Sequence, residues 1–176
     1  MILSIAGGTI GLLIIAGLVF YIIGRTLPEK HTSKFSVSLP VPSAAVWAVI
    51  TDYPKMPEWW PAVKSIRLET RPNGEVWTWN QDTRGHEIAF RTLEEKAPQH
   101  LVREIVGDNL PFGGTWTFDL TPDGTKTNLT LTEDGFIKPP LFRFIATYFI
   151  GLDKTMKDFS VNLQKHFFAK GASVPR

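Results

Sequence analysis

The sequence predicts an α+β domain in which a curved antiparallel sheet of six to seven strands packs on one long C-terminal helix, preceded by one transmembrane helix. Three observations support this prediction. Apolar and polar residues alternate through most of residues 34–132, as they do in half-buried strands. After Pro140, apolar residues recur at helical spacing. The first 24 residues carry no charged side chain.

Residues 1–24 are predicted to form the transmembrane helix. A helix of this length rises about 36 Å, which is enough to cross a hydrocarbon core of about 30 Å. The basic region and cleavage site that are typical of a signal peptide are not evident. Positive charges follow at Arg25, Lys30 and Lys34, and the positive-inside rule therefore places the domain in the cytoplasm. We expect a single-pass membrane protein.

Composition limits the classes of function. The chain has 176 residues, close to the size of one domain, and a formal net charge of +2. No basic stripe is visible, so we expect no nucleic-acid partner. Cysteine is absent, which excludes disulfides, thiolate catalysis and cysteine-ligated metals.

The domain is predicted to span residues 34–168, between a polar linker over 25–33 and a tail over 169–176. Its first strand begins near Lys34, because apolar residues alternate with serines up to Leu39. Ser43 is expected to cap a short helix that the following prolines end.

A series of strands with turn sequences between them follows. The turns are marked by RPNG, DTRG, Ala97-Pro98 and PDG. Period-two alternation is clearest around Phe118 and Leu129. The predicted strands cover residues 63–70, 75–81, 86–96, 99–106, 113–121 and about 127–131.

One long helix is predicted at the C-terminus. A single apolar stripe runs from Ile145 to Phe167, over roughly seven turns. Gly151 interrupts this stripe, so we expect a bend or a close contact there. Because a sheet with one apolar face needs a cover, we expect the sheet to wrap around this helix.

A recognisable pattern of residues lies within the run 41–66. Its members are Pro42, Val46, Trp47, Ile50 and Asp52, followed by Pro57, Trp59 or Trp60, Pro61 and Val63. This pattern resembles the start of the polyketide cyclase/dehydrase branch of the START-like (SRPBCC, Bet v 1-like) superfamily. The similarity covers Lys34 to about Phe168 and implies the helix-grip fold. It implies no single activity, because the superfamily includes binders, carriers, cyclases and regulators.

In that superfamily the loop that here contains Trp59 and Trp60 lies at one mouth of a cavity between sheet and helix. The resemblance therefore implies that one of these rings points inward and the other points outward or against the helix. Alternatively, both rings plug the end of the sheet.

Large aromatic side chains dominate the strand faces that are predicted to point inward. Aromatic-lined concavities with few polar groups are the usual sites for small apolar ligands, although the same rings would also fill a packed core. The predicted ligand-binding residues are Trp59, Trp60, Trp77, Trp79, Phe90, Arg103, Trp116, Phe118, Tyr148, Phe149 and Leu152.

Few residues are candidates for chemistry. Arg103 interrupts an apolar strand face, and a buried arginine must be paired. We favour a structural partner such as Glu133 over a ligand carboxylate, although the strand register leaves open whether Glu104 is the inward residue. The catalytic candidates are His86, Arg103, Glu104 and Asp119.

No histidine spacing indicates a metal, and no glycine-rich phosphate loop indicates a nucleotide, so we expect neither a metal nor a cofactor. Three functions stay open. We rank first a membrane-anchored domain that binds a hydrophobic, lipid-like or aromatic molecule. A packed interaction scaffold comes second, and a cyclase or dehydratase comes last.

Overall fold

A seven-stranded antiparallel sheet forms the centre of the computed structural model, which describes the backbone of residues 2–171 and the side chains of residues 12–169. Its strands follow the order β1-β7-β6-β5-β4-β3-β2. This topology confirms the predicted α+β class and antiparallel sheet. The strands are β1 (Lys30–Leu39), β2 (Val63–Thr70), β3 (Val76–Asp82), β4 (Glu87–Lys96), β5 (His100–Val106), β6 (Phe112–Asp123) and β7 (Lys126–Ile137).

The first strand pairs with the last along its whole length. Lys30 lies opposite Phe136, and Leu39 lies opposite Thr127. The strand therefore begins inside residues 25–33, which we predicted to be a linker. The side chains in this part of β1 are polar and show no alternation with apolar residues, so the strand was not predicted there, although its backbone pairs regularly with β7.

Two short helical segments connect β1 to β2: α2 (Ser43–Thr51) and a 3-10 helix (Tyr53–Glu58). Ser43 does not cap α2 as predicted, because Pro42 occupies the cap position without a side-chain hydrogen bond. Instead, the hydroxyl oxygens of Ser43 and Thr127 lie 3.2 Å apart. This contact joins the start of α2 to β7.

The C-terminal helix is interrupted. α3 (Pro140–Ile145) leads into a π-helical turn (Ala146–Ile150), and α4 (Lys154–Gly171) begins after a break. Gly151 has φ of 90° at the break. This left-handed conformation ends a helix and favours glycine, which explains why the predicted single helix does not run continuously.

The core lies between α4 and the concave face of the sheet. Met156, Phe159 and Leu163 of α4 are buried against a cluster that includes Leu101 of β5 and Leu129 of β7. This packing confirms the predicted helix-grip arrangement, in which the sheet wraps around the C-terminal helix.

The N-terminal helix α1 (Ile2–Thr26) packs on α3 near its C-terminal end. The rings of Phe20 and Phe144 stack with centroids 4.5 Å apart. The buried guanidinium of Arg143 donates from Nε to the carbonyl oxygen of Gly24, with the two atoms 3.0 Å apart. These contacts attach the end of α1 to the domain.

The predicted membrane span over residues 1–24 is contradicted. Within the described part of the chain, no helix is long and apolar enough to cross a membrane. The prediction of a single-pass membrane protein with a cytoplasmic domain is therefore wrong.

The predicted C-terminal tail over residues 169–176 is also shorter than expected. α4 continues to Gly171, past the predicted domain end at residue 168. Residues 172–176 lie outside the described residues.

Candidate functional site

A cavity of about 390 Å³ separates the concave face of the sheet from its helical cover. Its volume falls within the roughly 300–1,000 Å³ that is typical of small-molecule sites. Its wall is mostly apolar and contains the aromatic side chains of Tyr53, Trp60, Phe90, Trp116, Phe118 and Phe159.

The adjacent tryptophans both pack against α4. Their ring centroids lie 5.1 Å (Trp59) and 5.0 Å (Trp60) from that of Phe159, and both rings meet it edge-on. Trp60 also lines the cavity, whereas Trp59 does not. The two rings therefore close one end of the core, and Trp60 contributes one face to the cavity.

Arg103 is the cavity's buried cation, with 7% of its surface exposed. Its Nη2 donates to the hydroxyl of Thr78 across a distance of 2.8 Å. The rings of Tyr53 and Phe90 lie 4.2 Å and 5.9 Å from its Cζ, which places them in cation–π range. Burial lowers the pKa of Arg103. Glu104 points to the opposite face of the sheet, where its Oε2 accepts from Arg91 Nε at 2.7 Å.

Three inward residues form a row across neighbouring strands. Arg103 of β5 lies opposite Trp116 of β6, and Trp116 lies opposite Glu133 of β7. Adjacent strands are about 4.8 Å apart, which separates the α-carbons of Arg103 and Glu133 by about 10 Å. The ion pair that we favoured between them is not found among the described residues.

Glu133 and His31 both line the cavity at the far end of this row. A methyl group at Gly135 would lie 2.8 Å from His31 Nε2 and 3.4 Å from Glu133 Oε1. Burial raises the pKa of Glu133, and a hydrogen bond from Trp116 partly offsets this. Burial lowers the pKa of His31, while the nearby Asp134 carboxylate opposes that shift. This end of the cavity therefore favours neutral groups.

Replacing Glu133 with glutamine should make the protein more stable at neutral pH. Because the pKa of Glu133 is raised on folding, the folded state binds its proton more tightly than the unfolded state, and stability falls as pH rises through the raised value. Thermal unfolding of Glu133→Gln and the native protein should therefore differ at pH 7–8, with the variant melting higher, and should converge near pH 4.

The matched control is Glu87→Gln, which removes a carboxylate from an exposed position on β4. We expect no comparable gain at neutral pH, because surface substitutions usually change stability by less than about 0.5 kcal/mol. A constant offset between Glu133→Gln and the native protein at every pH would contradict the prediction.

The predicted ligand-binding residues fall into two groups. Several of them line the cavity, and several lie elsewhere. Those in the lining are Trp60, Phe90, Arg103, Trp116, Phe118 and Leu152; those outside it are Trp59, Trp77, Trp79, Tyr148 and Phe149.

Trp77 and Trp79 lie on the convex face of the sheet. Trp79 Nε1 donates to Glu69 Oε2 at 2.7 Å, and Trp77 Nε1 donates to Glu75 Oε2 at 3.1 Å. The inward positions of β3 are instead held by Thr78 and Asn80, so the face that we predicted for these tryptophans is corrected.

Two aromatic residues of the π-helical turn also lie outside the cavity. Tyr148 is 59% exposed and Phe149 is 72% exposed. We expected both on the helix stripe that faces the sheet. The π-helical turn and the break at Gly151 change the helical phase, and this rotates the two rings away from the core.

Two of the catalytic candidates have partners on the convex face: Glu104 forms the ion pair with Arg91, and Asp119 Oδ1 lies within hydrogen-bond distance of His100 Nδ1, at 2.7 Å. His86 is exposed at the cavity rim, with Nδ1 3.1 Å from Asp82 Oδ2. Among the described residues, no group of three His, Asp or Glu side chains could hold a metal ion.

Sequence reasoning missed several polar residues of the cavity. Thr78 could have been found, because it alternates with the tryptophans of β3. If the tryptophans point outward, Thr78 must point inward. Tyr53 could not have been found, since its position depends on the fold of the 3-10 helix. His31 was assigned to a linker and was therefore not predicted to line a cavity. Glu133 was considered only as a partner for Arg103. The missed residues that line or border the cavity are His31, Tyr53, Thr78 and Asn80.

Comparisons with known proteins agree with this architecture. A family model described as "Polyketide cyclase / dehydrase and lipid transport" matches residues 30–167. None of the curated proteins that were compared matches the sequence.

Similar solved structures share the fold at low sequence identity. The Zhui aromatase/cyclase from Streptomyces sp. R1128 is 11% identical with a TM-score of 0.63, over 82% of this chain and 97% of that one. Norcoclaurine synthase from Thalictrum flavum is 10% identical with a TM-score of 0.61, over 84% and 91%. A START superfamily protein from Mycobacterium smegmatis is 16% identical with a TM-score of 0.59, over 80% and 99%.

Proposed function

Because the chain belongs to the polyketide cyclase/dehydrase and lipid-transport family, we propose that it binds a hydrophobic small molecule, lipid-like or aromatic, in the cavity between its sheet and its helices. The observation that carries this proposal is the unfilled volume of about 390 Å³ behind an aromatic wall. A ligand of this kind would replace water against apolar side chains, which is favourable at about 25 cal/mol per Å² of buried surface.

The same volume argues against a packed interaction scaffold. Close-packed interiors leave few voids larger than one water molecule, and this cavity exceeds that size many times over. The positions of Glu104 and Asp119 argue against a cyclase or dehydratase that would use either residue, since both carboxylates lie on the convex face, where Glu104 pairs with Arg91 and Asp119 contacts His100.

Polar atoms within the wall are suited to ligand contacts. Trp60 Nε1, Asn80 Oδ1 and Arg103 Nε are buried and have no hydrogen-bond partner among the described residues. Buried polar atoms are rarely left without a partner, so each of these atoms suits a ligand with a few oxygen atoms on an apolar body.

A neutral fluorescent probe tests the proposal without assuming a charge on the ligand. N-phenylnaphthylamine should brighten on titration with the protein as it enters the apolar cavity. Ile105→Trp, on the cavity side of β5, should fill the cavity and weaken probe binding by about tenfold or more. Val102→Trp, on the convex side of the same strand, is the matched control and should bind the probe as the native protein does.

Circular dichroism of both variants checks that they fold. If the native protein fails to brighten the probe, or if Ile105→Trp and Val102→Trp bind it equally, the cavity is not a ligand site. If the probe does bind as expected, native mass spectrometry of the purified protein distinguishes a lipid-like from an aromatic ligand by the mass that co-purifies.

A further inference from the structure

The guanidinium of Arg103 is almost entirely buried, and none of the described carboxylates pairs with it. Its hydrogen-bond partners are the neutral side chains of Thr78 and Tyr53, and its Nε has no partner. A buried charge is costly unless it is paired, because its attraction to water is lost on folding. In this fold, the cost of holding Arg103 is not offset by any ion pair among the residues described.

The nearest acidic side chains are directed elsewhere. Glu104 binds Arg91 on the convex face. The α-carbon of Glu133 lies about 10 Å from that of Arg103, with Trp116 between them in the row. Glu95 attracts Arg103 electrostatically but forms no ion pair with it. The described part of the chain therefore supplies no carboxylate that pairs with the Arg103 guanidinium.

Two aromatic rings border Arg103, because the centroids of Tyr53 and Phe90 lie 4.2 Å and 5.9 Å from its Cζ. Its polar contacts with Thr78 and Tyr53 are to neutral groups, and its Nε has no partner. A guanidinium holds its N–H donors in one plane, so it can donate two parallel hydrogen bonds to a carboxylate. Since Arg103 lines the cavity, a carboxylate of a bound molecule would complete its hydrogen bonding.

We propose that the ligand is an organic acid whose apolar body fills the aromatic cavity and whose carboxylate accepts hydrogen bonds from the Arg103 guanidinium. This inference rests on the proposed function. The donors of Arg103 lie on β5 and the aromatic wall continues to Trp116, so the acid binds in one orientation, with its carboxylate at β5 and its apolar body toward Trp116.

Matched pairs of acids and methyl esters test whether a negative charge on the ligand strengthens binding. Displacement of N-phenylnaphthylamine would be measured with naphthaleneacetic acid and its methyl ester, and with dodecanoic acid and its methyl ester. In each pair the apolar body is the same and only the anion is removed. The native protein should prefer the acid by about 10- to 100-fold in at least one pair, and the preferred pair distinguishes an aromatic from a lipid-like source.

Two arginine variants locate the charge. Arg103→Met should abolish the preference for the acid and leave ester binding within about threefold of native. Arg91→Met is the matched control. It removes a guanidinium from the convex face of the sheet and should keep the preference for the acid. Because the acid and ester are also compared on the native protein, the result does not depend on the folding of a variant.

Each outcome has a distinct meaning. Equal binding of acid and ester to the native protein, while the neutral probe still binds, overturns the inference and leaves the proposed function intact. Preference for the acid that survives in Arg103→Met also overturns the assignment to Arg103. Failure of the neutral probe to bind contradicts the proposed function, and the inference with it.

Discussion

Replacing Phe159 with alanine should lower the free energy of unfolding by about 3–5 kcal/mol. Its ring is 1% exposed and lies in the middle of α4. Four aromatic rings pack around it, with centroids 5.0–5.9 Å away: Trp59, Trp60, Trp116 and Phe118. Because these rings come from a loop and from β6, they cannot all collapse into the space that alanine leaves.

Urea denaturation measures this loss, and Phe168→Ala is its control. Phe168 lies on the same helix but is 59% exposed, so its replacement should change stability by less than about 0.5 kcal/mol. Similar midpoints for the two variants would contradict the view that the aromatic cluster around Phe159 holds α4 on the sheet.

Replacing Gly114 with alanine should cost about 2–5 kcal/mol of unfolding free energy. Two effects add at this position of β6. Its φ of +136° strains any residue with a Cβ. That Cβ would also overlap the carbonyl oxygen of Asp134 and lie 2.7 Å from the α-carbon of Gly135, in backbone that cannot move without disturbing β7.

Gly74→Ala separates strain from overlap. Gly74 also has a positive φ, of +86°, but a Cβ there would meet nothing within 4 Å. Urea denaturation should therefore show a loss of only about 1–2 kcal/mol, from strain alone. If Gly114→Ala is no more destabilising than Gly74→Ala, the close approach of β6 to β7 is not essential to the fold.

The sheet was readily predicted because its residues follow simple rules. Turn sequences divide the chain, and alternation around Phe118 and Leu129 marks strands whose inward residues are indeed buried. The predicted start of β1 came several residues too late, because the first side chains of this strand are polar. Backbone pairing between strands leaves no mark in the polarity of the side chains. The break before α4 depends on the conformation of Gly151, which the apolar stripe does not report.

The site was harder to predict, because alternation identifies a face of a strand without stating which face is inward. β3 carries tryptophans on one face and Thr78 on the other, and hydrophobicity alone selects the tryptophans. The structure turns them outward, where Arg67 and Arg71 cover the rings of Trp79 and Trp77. Charged neighbours can thus shield an aromatic ring on a convex surface.

The sequence marked Arg103 as an inward candidate because it interrupts an apolar strand face, but it left Glu104 open as the inward residue and gave the wrong partner for Arg103. The expected ion pair needed Glu133 on an adjacent strand. β6 lies between the two strands, and its Trp116 separates the two charges. The order of strands in the sheet depends on the topology of the whole domain. No local pattern in the sequence shows which two strands are neighbours.

The pairing of β1 with β7 also sets the order in which a newly made chain can fold. Thr32 and Asp134, joined across these strands, are 102 residues apart. At about 5–20 residues per second, the ribosome makes Thr32 roughly 5–20 s before its partner. The earliest strand must stay unpaired for that interval, while each hairpin from β2 to β7 can close soon after it emerges.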